Sequence, residues 1–136
     1  TLPSAEKRNE AAARYLYLSL DRAGSAELSL TARDLFQDPE SEVFLSAVSV
    51  WEPAVKQAWG RLPRAGPPRV YVPRERERHG VAPLALTETD ALGLSLLPAV
   101  HQDPFDRMLI CQARSRDLVL LTPDPRIREY PVATAW

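Results

Sequence analysis

Apolar residues along this chain fall into two kinds of pattern. Some form short continuous runs: residues 15–20 (YLYLSL), 43–47 (VFLSA), 81–86 (VAPLAL) and 118–121 (LVLL). Others recur at helical spacing, as Phe105, Leu109 and Ala113 do at i, i+4 and i+8. Continuous apolar runs bounded by turn residues predict strands buried on both faces. Residues 15–20 fit a strand ending at Asp21. They fit equally the last turns of a helix running from Ser4 and closed by Gly24, because periodicity does not settle so short a run.

Between the runs the punctuation is helical. Residues 1–13 predict an exposed helical lead with Ser4 as N-cap, and residues 28–36 (LSLTARDLF) a helix start followed by a turn at Asp38-Pro39-Glu40-Ser41. Ser49 and Glu52 match the capping box S-x-x-E, which opens a helix through Val55 and Trp59 to Gly60. Residues 61–73 read as a proline-punctuated connector, 74–78 (RERER) as solvated helix surface, and 87–97 as a helix capped by Thr87 or Thr89. Asp103 reads as N-cap, Pro104 as N1 and Asp106 as N3 of a core helix. Residues 130–136 predict a last short edge strand. Strands alternating with helices, several apolar on both faces, predict an α/β fold: one domain over 1–136 with a central parallel sheet covered on both sides.

Composition narrows the classes. The chain has 136 residues, enough to bury a substantial core, with 45% hydrophobic and 26% charged residues. No stretch approaches the roughly 18 apolar residues of a membrane helix, and no signal-peptide pattern opens the chain. The first residue is Thr and not Met, which implies a trimmed, processed or incomplete start. One cysteine, Cys111, cannot form an intramolecular disulfide, so a reducing cytoplasm is the expected location. One Cys and two His cannot build a zinc cage, so any metal must be held by carboxylates. Residues 1–60 carry 6 basic and 9 acidic groups, and residues 61–136 carry 11 and 9. Fifteen of the seventeen basic residues are Arg, a bias that suits phosphate recognition and that a GC-rich genome would also produce.

Function in parallel sheets gathers beyond the carboxyl ends of the strands. Glu52 follows one apolar run, Asp124 follows another, and Asp103 and Asp106 open a helix, so these acids can converge at one end of the sheet. Each has a bland role as well: capping box for Glu52, helix caps for Asp103 and Asp106, turn former for Asp124. Carboxylates sharing a cleft repel one another unless a cation lies between them. Hard oxygen donors select Mg²⁺ or Mn²⁺, and such ions support phosphodiester hydrolysis.

Residues 44–47 through Trp51-Glu52, Lys56 and 60–63, then 101–113, 120–125 and 130–136, resemble the PIN-domain toxins of VapC type. The resemblance spans about residues 28–136. It implies a PIN-like α/β fold and a Mg²⁺- or Mn²⁺-dependent endoribonuclease, the toxin of a toxin–antitoxin pair. It also implies an RNA substrate, a homodimer and a cognate antitoxin that blocks the site. On this resemblance Glu52, Asp106 and Asp124 are the metal ligands, with Asp103 beside them. The family's opening Asp-Thr-His is absent. The usual spacing back from Glu52 lands on Arg14, and the nearest acid after an apolar run is Asp21, seven residues later. If Asp21 stands in, catalysis is expected; if Arg14 does, the chain is a degenerate member that binds RNA or protein without cutting. Pro53, directly after Glu52, is expected to reshape that turn.

Overall fold

A computed structural model describes residues 13–18, 29–61 and 66–136. Among these, five strands form one sheet in the order β3-β2-β1-β4-β5, every neighbouring pair parallel. The strands are β1 (Ala13–Tyr17), β2 (Ser41–Ser46), β3 (Ala82–Leu84), β4 (Val119–Leu121) and β5 (Thr134–Ala135). The helices are α1 (Leu30–Gln37), α2 (Ala47–Ala58), α3 (Pro68–His79), α4 (Glu88–Leu92), α5 (Pro104–Arg116) and α6 (Pro125–Arg128). The runs 43–47 and 118–121 are thus neighbours of one central strand in the same parallel sheet, and the described part of the open run resolves to strand, Tyr15, Leu16 and Tyr17 lying in β1.

Alternation along the strands sorts the side chains onto two faces. Leu16, Phe44 and Leu120 join Leu109, Ile110 and Ala113 of α5 in one core. Tyr17, Val43, Leu45 and Leu121 join Leu35 and Phe36 of α1 in the other. Both faces of the sheet are therefore covered, which is why its strands read as unbroken apolar runs.

Three local expectations fail. Ser49 does not cap a helix: β2 runs straight into α2, whose N-cap is Ser46, its hydroxyl accepting from the Val48 amide at 3.0 Å. Ser49 lies inside α2 and donates instead to the Leu18 carbonyl, 2.5 Å away. The region 61–73 is a connector only in its first part, because Pro68 starts α3 at N1 and Pro73 sits within it. Pro53 likewise lies buried inside an α2 that continues to Ala58. Arg14 is in β1 but at its amino end, paired with Glu42 at 3.7 Å, so it does not occupy the place of the missing acid. Of the expected helical lead at 1–13, Ala13 instead opens β1, and the rest, with its Ser4 cap, lies outside the described residues, as does Asp21.

Candidate functional site

The topology fixes where a site can be. From β1 the chain builds outward to β2 and β3, then returns to lay β4 on the other side of β1. Beyond the carboxyl ends of β1 and β4 lies the crevice that such a reversal opens. Helix α5 leads back into β4 through Asp117, which takes the left-handed conformation at its C-cap. Its amino end therefore lies at the carboxyl end of the sheet.

Four acids border that end. Asp103 caps α5, accepting from the amides of Phe105 at 2.9 Å and Asp106 at 3.2 Å. Asp106, at N3, is only 1% exposed, and its Oδ2 lies 3.3 Å from His101 Nε2. Asp124 follows β4 and caps α6, its Oδ1 accepting from the Arg126 amide at 2.9 Å. Glu52 stands on α2 with its side chain 15% exposed, paired with Lys56 at 3.2 Å. A ring contact between Trp51 and Phe105, centroids 5.1 Å apart, joins the Glu52 turn to the mouth of α5.

Charge links the acids further. The Arg126 guanidinium reaches Asp124 with Nε at 3.3 Å and a terminal nitrogen at 3.0 Å. Its pKa is raised by that hydrogen bond and by the Asp124 charge, with Asp106 and Asp103 adding to the effect. Three aspartates thus bear on one guanidinium. Glu52 and Asp124 each sit beside a cation of the chain itself, Lys56 and Arg126, which relieves the repulsion expected among neighbouring carboxylates. The donors are all hard oxygens, as Mg²⁺ or Mn²⁺ prefers. Among the described residues, no group of three or more His, Cys, Asp or Glu is placed to hold an ion.

Several site residues escaped the sequence reading. Thr122 is fully buried and its hydroxyl accepts from the Asp124 amide at 3.1 Å, fixing the turn that presents this acid. Ser46 donates to Gln112 Oε1 while capping α2, so one hydroxyl ties α2 to α5. His101 and Tyr130 flank Asp106. A buried hydroxyl or amide next to an acid motif was the available signal for the first pair.

No protein-family model matches the sequence. Over 54 residues the chain is 39% identical to Ribonuclease VapC16 of Mycobacterium tuberculosis, a match spanning 40% of this chain and 38% of that relative. The fold resembles that of VapBC2 from Rickettsia felis, solved bound to a DNA fragment from their promoter. That comparison has a TM-score of 0.64 and 9% identity, covering 89% of this chain and 98% of that one. It also resembles VapBC-1 from nontypeable Haemophilus influenzae, with a TM-score of 0.62 and 18% identity over 90% of this chain and 96% of that one. With the five-stranded parallel sheet, these likenesses show that the chain has the α/β fold of the VapBC structures and that a stretch of 54 residues is similar to a VapC ribonuclease.

Proposed function

We propose that this chain is the ribonuclease toxin of a toxin–antitoxin pair, cutting RNA with Mg²⁺ or Mn²⁺. The observation that carries the reading is Asp106, a carboxylate 1% exposed at the mouth of α5, with Asp103 beside it and Asp124 sharing the Arg126 guanidinium. Glu52, Asp106 and Asp124 would hold the ion, Asp21 would supply the acid that Arg14 does not, and Asp103 would serve as cap and outer ligand. The chemistry such an ion would supply there is polarisation of a phosphoryl oxygen and activation of a water. The chain's own residues do the rest. The α5 amino end orients Asp106, Thr122 orients Asp124, and the exposed ends of Lys56 and Arg126 would meet backbone phosphates.

Partners follow the same reading. The match to a ribonuclease of VapC name and the likeness to VapBC structures support a cognate antitoxin. Exposed apolar side chains, Trp51, Trp59 and Leu30 among them, support protein contacts through a homodimer or that antitoxin. Sedimentation as a monomer at high concentration, with no partner recovered on affinity capture, counts against both. No helix among the described residues is long and apolar enough to cross a membrane, which is compatible with a cytoplasmic toxin.

The test is cleavage of a single-stranded RNA panel with Mn²⁺, with EDTA, and with Asp106→Asn. Cleavage by the unmutated chain in Mn²⁺ alone is expected. Cleavage that survives EDTA or Asp106→Asn defeats the reading. A second reading, a domain that binds RNA or protein without cutting, is favoured by the lack of a closed three-ligand group among the described residues. RNA binding without Mn²⁺-dependent cleavage would put it first.

A further inference from the structure

Asp106 is held from outside its own helix. Its Oδ2 lies 3.3 Å from His101 Nε2, at the long end for such a bond, and the other ring nitrogen, Nδ1, lies 2.8 Å from the Tyr130 hydroxyl. A carboxylate only accepts, so Nε2 carries the hydrogen of the first contact; a neutral ring then offers Nδ1 as an acceptor at 2.8 Å to the Tyr130 hydroxyl, whose one proton also has the His101 carbonyl within reach at 3.3 Å. The same phenol oxygen accepts from the His101 amide at 3.0 Å and from Arg107 at 3.1 Å. Arg107 in turn donates to the Pro98 carbonyl at 2.9 Å and the His101 carbonyl at 3.4 Å. The two rings meet edge to face, centroids 5.4 Å apart. The hydroxyl thus fixes both the position of the imidazole and the path of the chain entering α5.

Tyr130 is 3% exposed and is itself tied down through its amide, which donates to the Ile127 carbonyl of α6 at 3.0 Å. Asp124 caps that same short helix. One side chain therefore joins the segment carrying Asp124 to the carboxylate of Asp106. A purely structural phenol needs one partner to be satisfied; this one is met by an amide, a guanidinium and a ring nitrogen, and that ring is the one beside Asp106.

We propose that Tyr130 and His101 are positioning residues, a relay that sets the Asp106 carboxylate relative to Asp124. The proposal rests on the reading of these acids as metal ligands. Groups that hydrogen-bond a ligand from behind fix its orientation, and their loss costs about 10–100-fold in metal affinity or activity.

The test measures Mn²⁺ binding to the full chain without RNA, by electron paramagnetic resonance titration. Tyr130→Phe keeps the ring and removes the hydroxyl; it is expected to weaken binding about tenfold, as is His101→Ala. His101→Gln returns an N–H near the place of Nε2 and is expected to recover part of the loss. Circular dichroism confirms that each variant is folded, and metal-free melting separates a stability cost from a change in affinity. Folded Tyr130→Phe and His101→Ala proteins that bind Mn²⁺ as the unmutated chain does overturn the relay and leave the metal site standing. An unmutated chain that binds no Mn²⁺ overturns the metal reading, and the relay with it.

Discussion

Asp90→Asn is the perturbation whose size the structure defines best. Asp90 is 2% exposed and accepts from Ser115 at 2.7 Å, Arg116 at 2.8 Å and the Thr87 amide at 2.9 Å, the last as half of the α4 capping box. Burial alone would raise its pKa, but the bonds from Ser115, Arg116 and Thr87 reverse that and hold the carboxyl well below the usual carboxylate range. An asparagine can still accept from Thr87, yet it loses the charge that Arg116 faces. Breaking a buried pair costs about 3–5 kcal/mol. The Arg116 side chain is 27% exposed and can rehydrate in part, so about 2–3 kcal/mol is expected. The pH dependence follows from the sign of the shift. A depressed carboxyl pKa gives stability that is complete above the unfolded value near ~3.9 and is lost as pH falls towards the folded value. Urea unfolding at pH 7 and at a series of pH values below ~4 measures both. The gap between wild type and Asp90→Asn should be widest at pH 7 and close in acid. A gap under about 0.5 kcal/mol at pH 7, the size of an ordinary surface substitution, or one that widens in acid, refutes the reasoning.

Other consequences are simpler. On the proposed metal-ribonuclease reading, Arg126→Gln would remove a competitor for the Asp124 oxygens and a cation for substrate phosphates, so Mn²⁺ should bind a few-fold tighter while the KM for RNA rises; a joint fall in both affinities would speak against it. Cys111 is 4% exposed, and burial pushes its thiol pKa up, so alkylation by iodoacetamide at pH 7 should be slow until the chain is unfolded in urea. Asp117, at φ 56°, is the one non-glycine residue with positive φ among those described. Asp117→Gly should raise unfolding free energy by roughly 0.5–1 kcal/mol, and a destabilised variant would show that its side chain matters more than its backbone.

What the sequence disclosed and what it hid divide along physical lines. The mouth of α5 was legible because Asp, Pro and Asp occupy positions where unpaired helix amides, a fixed φ and the helix dipole each favour them. The parallel sheet was legible because burial on both faces leaves an unmistakable apolar run. The start of α2 was misread because Ser49 and Glu52 satisfy a local rule, whereas the cap is decided by where β2 ends, at Ser46. α3 was half hidden because Pro67, Pro68 and Pro73 look like a linker. Pro68 at N1 in fact promotes the helix, and the carbonyl left over by Pro73 belongs to the exposed Arg69, where water can reach it. Arg14 shows the limit of counting: the spacing carried back from Glu52 fell at the amino end of β1, away from the end that Asp106 and Asp124 border. The contact of Tyr130 with His101, 29 residues apart, and the pairing of Ser46 with Gln112, 66 apart, exist only once the sheet has formed.

The central claim is that Glu52, Asp106 and Asp124 share one divalent ion. A crystal of the chain grown with Mn²⁺ and measured at the manganese absorption edge tests it directly. The account predicts one anomalous peak at the carboxyl end of β1 and β4, bounded by oxygens of these three residues, at distances near the ~2.1 Å of a Mg²⁺ site. No peak there at saturating Mn²⁺, or an ion held elsewhere while these acids keep Lys56, His101 and Arg126, would contradict it.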